Sequence, residues 1–464
     1  MANDEFRDSL ATVDEQGERK WVYPKKPVGK YYTYRTIVSI LFLIVLFAGP
    51  FIKINGNPLL MLNVIERKFI IFGNIFYPQD FYIFMFVMVV GVIAIGVFTL
   101  LFGRLFCGWI CPQTIFMEMV FRKVEYWIEG DWTKQKALSK QSWTPKKIFK
   151  KVLKHSIFFL IAFIISNTFL AYIIGIEALL EIVTAPPSEH LAGFFYIFLF
   201  ALVFYIVFAR LREQICTSVC PYGRLQGVLL DKKSIVVAYD YKRGENRAKF
   251  RKNEDREAEG KGDCVDCRQC VHVCPTGIDI RNGTQLECIH CTACMDACNS
   301  IMDRLGMEEG LIRYTSEHHI EEEKKLSIDK RSIGFSLLLL VLVSIMLGLL
   351  LFRNKVEATI LRTPGTLFQE RPDGRVSNLY NYNIVNKSNE VFELTFKLES
   401  PDGTIEIIGD SNIVLQKGEK LDGSFFVLLK EENLSARQTP LHIGIYAGEE
   451  KVDEAFINFL SKQK

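Results

Sequence analysis

The stretch CVDCRQCVHVCPTGIDIRNGTQLECIHCTACMDAC (residues 264–298) carries C-x-x-C-x-x-C-x-x-x-C twice, as Cys264, Cys267, Cys270, Cys274 and as Cys288, Cys291, Cys294, Cys298. Two residues between thiols let three sulfurs of one loop cap three corners of an iron–sulfur cube, and the fourth reaches across to the neighbouring cube. That spacing predicts one [4Fe–4S] cluster on Cys264, Cys267, Cys270 and Cys298, and a second on Cys288, Cys291, Cys294 and Cys274. Pro275 follows the first run as in bacterial ferredoxins, whereas Asn299 stands after the second; the change moves no ligand. A zinc ribbon draws four ligands from two separated pairs. Eight cysteines in a doubled run do not follow that plan, so two clusters are the expected cofactors.

Around this stretch the chain is apolar. Of 464 residues, 49% are hydrophobic and 12% aromatic, and 56 basic residues nearly cancel 53 acidic ones. Such a composition suggests a membrane protein with soluble parts. All twelve cysteines fall between 107 and 298, which indicates metal or redox work in a reducing compartment and not a disulfide framework. The N-terminus is too polar for a signal peptide. No basic face interleaved with aromatics marks a nucleic-acid module.

Five stretches, near 36–54, 81–102, 156–176, 191–209 and 332–352, approach the length needed to cross a bilayer. The stretch 110–128 carries Glu118, Arg122, Lys123 and Glu125 and reads as an amphipathic interfacial helix. Residues 1–35 hold seven Lys and Arg and 103–155 hold eleven, against three in 53–80 and none in 183–190. The positive-inside rule then places the N-terminus and the cysteine regions in the bacterial cytoplasm, and the C-terminal region outside.

The expected fold is a multidomain membrane protein. A cytoplasmic segment (1–35) leads into an α-helical transmembrane bundle (36–230), a charged solvated linker (231–262) and a bacterial-ferredoxin-like 2[4Fe–4S] domain (263–331). A last transmembrane helix (332–352) precedes a C-terminal domain (353–464). In that domain short alternating runs such as VFELTFKL and LHIGIYAG are separated by turn signals, which indicates an immunoglobulin-like β-sandwich suited to docking. The apolar loop 53–80 reads as a hairpin turning at Gly73–Asn74, an interfacial plug more than a lid over a small-molecule or quinone site.

Two further cysteine pairs form an internal repeat, CGWICPQT with Cys107 and Cys111, and CTSVCPYGR with Cys216 and Cys220. Each reads C-x-x-x-C-P beside the inner end of a span, near Arg104 or Arg210 and Arg212. A spacing of four places both sulfurs on one face if the segment is helical, and two such pairs at one depth can converge into one four-thiolate site. Soft thiolates select Cu(I), zinc or iron–sulfur clusters, and paired thiols can also cycle through a disulfide. Spacing leaves that choice open.

Other candidates are weaker. The histidines supply no facing pair within the spans for a haem. His272 and His290 lie inside the cluster runs, where they could bond sulfurs or tune potentials. Met117 and Met119 read as membrane-facing, and Glu177 and Glu181 as interface caps more than proton relays.

In combination, CGWICPQT, CTSVCPYGR, YKRGENR (241–247), GDCVDCRQCVHVCPTGIDIR (262–281), GLIRYTSE (310–317) and the trailing sandwich resemble the cytochrome c oxidase accessory protein family called CcoG, FixG or RdxA. The resemblance covers nearly the whole chain. It implies a membrane-bound metalloreductase that converts Cu(II) to Cu(I) during assembly of cbb3-type cytochrome oxidase. The copper-handling or terminal electron-transfer site would be Cys107, Cys111, Cys216 and Cys220, and the partners copper, oxidase subunits or copper-delivery proteins, with homo-oligomers also allowed. Two alternatives differ in class: an electron relay between a quinol pool and a partner complex, and a non-enzymatic assembly scaffold.

Overall fold

The computed structural model describes residues 11–462 apart from 15, 78–79, 187, 253, 324–329, 366, 389, 410–412 and 435–436. The first ten residues of the polar N-terminus lie outside the described residues. Five described helices are long and apolar enough to span a bilayer: α1 (Lys30–Ala48), α2 (Phe81–Phe102), α3 (Pro145–Ile174), α4 (Leu191–Ile206, which continues as a π-helix to Leu211) and, beyond α5 (Ala293–Leu305) of the cysteine region, α6 (Lys330–Leu351). Outward-facing side chains such as Leu337, Leu340 and Val341 on α6 are apolar and exposed, as expected where hydrocarbon replaces a protein core.

The chain divides into two compact units. One gathers residues 1–48, 87–171 and 176–344; the other gathers 49–86, 172–175 and 345–464.

In the first unit, α3 starts at Pro145 and not near 156, because its charged first turns have partners. Lys151 pairs with Glu129 at 2.8 Å and Lys154 with Glu129 at 3.0 Å, while Lys147 Nζ donates to the Ser139 carbonyl at 3.2 Å. The stretch after Cys111 is likewise not an interfacial helix. It runs as a short turn, a π-helix (Ile115–Phe121) and an α-helix (Arg122–Ile128), with the charged Glu118, Arg122 and Glu125 buried alongside Phe116 and Phe121 and Trp127 exposed. Met117 and Met119 are buried too and do not face lipid. Phe121 stacks on Phe208 at 4.8 Å and meets Phe158 edge-on at 4.9 Å.

The charges of this stretch tolerate burial because they answer one another. Arg122 pairs with Glu118 at 3.0 Å, and Glu125 pairs with Arg212 and, at 3.4 Å, with Lys154. Arg19 pairs with Glu213 at 2.7 Å. Burial raises the Glu125 carboxyl, but Arg212, Lys154 and Arg122 together outweigh it and hold the group at about 2.

The cysteine region hangs on a two-stranded antiparallel ribbon, Val236–Tyr239 with Ile312–Thr315, and on α5. The preceding charged stretch is not a free linker. Arg256 is buried and donates to the carbonyls of Gly262 at 3.0 Å, Ala248 at 3.2 Å and Cys264 at 3.3 Å, which straps 246–262 over the first cysteine run. The N-terminal segment is tied down as well. Lys25 donates through its backbone N–H to the His272 carbonyl at 2.7 Å and through Nζ to Gln269 at 2.9 Å.

In the second unit a five-stranded sheet (order Gly403–Ile408, Lys420–Lys430, Arg375–Asn386, Val356–Arg362, with Gln369–Glu370 added beside the third) faces a four-stranded one (Ile413–Leu415, Phe392–Ser400, Gln438–Ala447, Glu450–Leu460). All pairings are antiparallel. The core is the alternating inward set, including Tyr380, Ile384, Phe425, Val427, Leu441, Ile443 and Phe459, as an immunoglobulin-like sandwich requires.

The 53–80 loop is a three-stranded meander (Leu60–Asn63, Lys68–Ile71, Asn74–Phe76) and not a lone hairpin. Its second turn is the pair Phe72–Gly73, with φ of 50° and 76°, one residue earlier than the Asn-Gly-type signal suggested. Positive φ at both positions is what a two-residue primed turn demands. The loop docks on the sandwich. Asp80 and Lys387 pair at 2.6 Å with both side chains buried, Tyr77 donates to the Gly418 carbonyl at 2.7 Å, and Arg353 lies 4.3 Å over the Phe76 ring.

Glu125→Gln leaves Arg212 and Lys154 buried with one carboxylate fewer, a loss of about 3 kcal/mol for a broken buried pair, read as a lower melting temperature in detergent. Because the folded carboxyl sits below its unfolded value, this contribution is complete above about pH 4.5 and fades as pH falls toward 2. The difference between wild type and variant should shrink over that interval.

Candidate metal centres

The two cysteine runs fold alike. The residues flanking the second cysteine of each run, Asp266 and Arg268 around Cys267 and His290 and Thr292 around Cys291, all have φ between 48° and 63°. Left-handed residues at these places curl each loop so that its sulfurs face a common centre. Cys270, Cys274, Cys288, Cys291 and Cys294 line one small cavity, closed by Val237, Ile278 and Ile280. Cys298, on α5, is raised to about 12 by burial and by Cys267 and Cys264 beside it. Cys270 reaches about 12 through burial, with Cys298 and Cys267 again among its neighbours. Cys264, Cys267, Cys270 and Cys298 thus lie near one another, and Cys270 also borders the cavity of the second run. Only Cys267 of the eight is exposed.

The spacing of the sulfurs bears on what can fill these cradles. A tetrahedral zinc site holds sulfurs about 3.8 Å apart, from Zn–S bonds of about 2.3 Å. Among the described residues, which include all twelve cysteines, no three thiols come within 4.8 Å of one another. The donor set, eight thiols in two runs, fits two iron–sulfur cubes. The group that does meet the 4.8 Å limit is Glu399, His442 and Glu454 on the sandwich, and Lys451 already pairs with both carboxylates, at 3.0 and 2.6 Å.

The C-x-x-x-C-P pairs also converge. Cys216 is pushed up to about 12 by burial and then by Cys111, Cys107 and Cys220. Burial likewise raises Cys107, whose sulfur lies 3.3 Å from Gln226 Nε2. The backbone N–H of Cys111 donates to the Phe106 carbonyl at 2.9 Å, and that of Cys220 to the Ile215 carbonyl at 2.7 Å. Each pair therefore closes a widened five-residue turn, not the four-residue turn its spacing suggested, and Pro112 and Pro221 open the helices that follow. Gly223 is required because any Cβ there would strike the Cys216 carbonyl.

This quartet abuts the second cysteine cradle. Cys107 packs in one apolar cluster with Val273, Ile289, Cys291 and Ala293. Arg104 is buried, and its backbone N–H donates to His290 Nδ1 at 3.0 Å while its guanidinium donates to the carbonyls of Leu286 and Gly223. One cation therefore clamps the second cluster run to both C-x-x-x-C-P motifs. Burial and Arg104 lower the His290 imidazole to about 3, so it is neutral and accepts this bond. Trp109 donates to Tyr314 at 3.1 Å and Tyr314 to the His290 carbonyl at 3.2 Å, which closes the junction.

Sequence reasoning noted Arg104 as a neighbour of the first pair but missed it as a clamp, since its partners lie more than a hundred residues away. The His290 backbone N–H bonds the Cys288 sulfur, whereas the His272 ring stacks on Trp132 at 4.8 Å. Glu177 and Glu181 are exposed. A second missed residue is Asp296, between two ligand-type cysteines on α5, which accepts the N–H groups of Tyr31 at 3.1 Å and Tyr32 at 2.7 Å and so caps α1.

Transmembrane helices, paired ferredoxin-type loops and a trailing sandwich define a membrane-bound iron–sulfur electron-transfer protein. Profiles for a 4Fe-4S dicluster domain match residues 211–317, for a 4Fe-4S binding domain 84–135, and for the IG-like fold at the C-terminal of FixG, a putative oxidoreductase, 346–462. The chain is 33% identical to Protein RdxA of Cereibacter sphaeroides, over 80% of each chain. It is 30% identical to the nitrogen fixation protein FixG of Rhizobium meliloti, over 85% of this chain and 82% of that one. Protein RdxB of Cereibacter sphaeroides is 29% identical over 82% and 83%. The chain belongs to the FixG/RdxA family.

Gly108 is the tightest point of the junction, since an added Cβ would collide with the Ile289 carbonyl and press on His290. Gly108→Ala should shift the second run and cost about 1–3 kcal/mol. Low-temperature EPR of the reduced protein should show one cluster signal altered and the other unchanged. Gly91→Ala, which meets nothing within 4 Å, should leave both unchanged.

Proposed function

We propose that this protein moves single electrons through two [4Fe–4S] clusters to the four C-x-x-x-C-P thiols, where Cu(II) is reduced to Cu(I) for assembly of a cbb3-type oxidase. The observation that supports it most is the packing of Cys107 against the loop of Cys291, with Arg104 bonded to both sides. Cluster one takes Cys264, Cys267, Cys270 and Cys298, and cluster two takes Cys288, Cys291, Cys294 and Cys274. When bound, these clusters supply electrons one at a time, and each Cu(II) takes one. The chain's own residues do the rest. Cys107, Cys111, Cys216 and Cys220 offer soft sulfur that favours the cuprous product, and Arg104 offsets the charge of their thiolates. Gln226 orients Cys107.

The clusters and the N-terminus face the bacterial cytoplasm and the sandwich faces outward, on the strength of the Lys and Arg distribution. The sandwich meets the partner proteins of copper delivery.

The crossed ligand sets predict that Cys274→Ser abolishes the cluster of the other run, Cys288, Cys291 and Cys294. Iron analysis should fall to half, and the surviving EPR signal should match the one left by Cys288→Ser and not the one left by Cys264→Ser.

Copper chemistry is tested on anaerobic, dithionite-reduced protein. Adding Cu(II) should re-oxidise the wild type, while the Cys107/Cys111/Cys216/Cys220 quadruple serine variant, with iron content intact, should stay reduced. Equal re-oxidation of the variant, or oxidation by a quinone analogue with copper ignored, would overturn the copper assignment and favour a quinol relay.

A further inference from the structure

We propose that the cavity between the start of α1 and the helix Arg122–Ile128 binds the phosphate headgroup of an anionic glycerophospholipid. The cavity holds about 730 Å³ and is lined by Lys26, Tyr32, Ile37, Lys123, Tyr126 and Trp127, with Asp131 at its edge. That volume suits a headgroup.

Its charge is what points to an anion. Among the described residues no carboxylate pairs with Lys26 or Lys123, although the neighbouring Arg122, Lys151, Lys154 and Arg212 all have acidic partners. Asp131 offsets only one of the two ammoniums, so the lining stays net positive, and its Oδ1 accepts the backbone N–H groups of Lys26 at 2.9 Å and Trp132 at 2.8 Å as the cap of the next helix. Burial, then repulsion from Lys26 and Arg35, depresses the Lys123 ammonium, so a nearby anion would relieve it. The Lys123 Nζ also lies 5.9 Å over the Tyr32 ring.

The surroundings select a lipid over a free anion. From the cavity, α1 rises with Ile37, Ile40, Leu41 and Ile44 all exposed, a strip along which acyl chains can lie. Trp127 is 77% exposed at the rim, the usual place of tryptophan at the headgroup level. Basic pockets beside cytoplasmic helix ends hold anionic headgroups by the same attraction.

A lipid here would brace the redox domain. Lys26 follows Lys25, which bonds the first cysteine run, and Tyr32 is held by Asp296 between Cys294 and Cys298. This inference goes beyond the proposed copper chemistry and does not depend on it.

The test uses the full chain in detergent, delipidated and then exposed to phosphatidylcholine vesicles with or without phosphatidylglycerol. Bound lipid is counted by mass spectrometry after re-isolation. The wild type should retain phosphatidylglycerol selectively, and Lys26→Gln with Lys123→Gln should lower retention roughly tenfold while iron content and EPR stay unchanged. Lys146→Gln with Lys150→Gln, on α3, should leave retention unchanged, and millimolar inorganic phosphate should not displace the lipid. Equal retention by the Lys26/Lys123 variant, equal retention of phosphatidylcholine, complete displacement by inorganic phosphate, or replacement by a quinone analogue would each overturn the proposal. Should the double variant lose iron, the singly substituted Lys123→Gln chain decides by the same count.

Discussion

Buried sulfur is the constraint on which the redox region depends. Seven of the eight ferredoxin-type cysteines are buried or half-buried, and burial pushes Cys288 to about 12 and Cys291 to about 11 in the absence of metal. Thiols with such values are neutral near pH 7, yet a metal ligand must be the thiolate. Binding therefore releases protons and supplies the positive charge that makes buried sulfur tolerable, so formation of the loops and acquisition of metal are linked. The surrounding protein has little else to hold these loops: apart from a two-stranded ribbon and α5, the segment is turns, straps and a few buried residues such as Ile280, Met295 and Met302.

The same need explains the polar machinery nearby. The second cradle and the C-x-x-x-C-P quartet are loops without a shared sheet or helix, and elements of that kind are fixed by hydrogen bonds to backbone carbonyls. Arg104 supplies two such ties through its guanidinium and a third bond from its backbone N–H to His290 Nδ1. Arg256 performs the corresponding task at the first run and Asp296 at the foot of α1. Beneath the spans, Glu118, Arg122, Glu125, Glu129, Lys154 and Arg212 form a buried network with no solvated face. Such networks contribute modestly to stability but penalise misregistered packing heavily. That property suits a bundle whose helices are otherwise interchangeable stretches of Phe, Ile and Leu.

Local pattern made much of this legible. The five apolar helices, the doubled cysteine run and the strands of the sandwich all follow from periodicity and spacing over a few residues. Misreadings arose where a distant partner decided the outcome. Glu118, Arg122 and Glu125 look like a solvated face until Arg212 and Lys154 are brought against them. Residues 242–262 look like a linker until Arg256 meets the Cys264 carbonyl. The 53–80 loop looks like a lone hairpin until its third strand is seen and Lys387 reaches Asp80, about three hundred residues away along the chain. Charge in a sequence marks exposure only when its counter-charge is absent, and a single sequence does not show pairing across such separations.

The turn geometry carries the last step. A C-x-x-x-C spacing on a regular helix would set two sulfurs one above the other on a single face, which suits a mononuclear pair but points both thiols the same way. The widened turns at Cys111 and Cys220 rotate the second sulfur of each pair and end the helix at once, because the following proline has no N–H to continue it. Two copies of this device, with Gly223 and Gly108 removing side chains at the points of closest approach, bring the two pairs near each other beside the second cradle. The repeat is therefore visible in the sequence as spacing, but its purpose is carried by backbone: proline and glycine, more than cysteine, decide that the two halves meet.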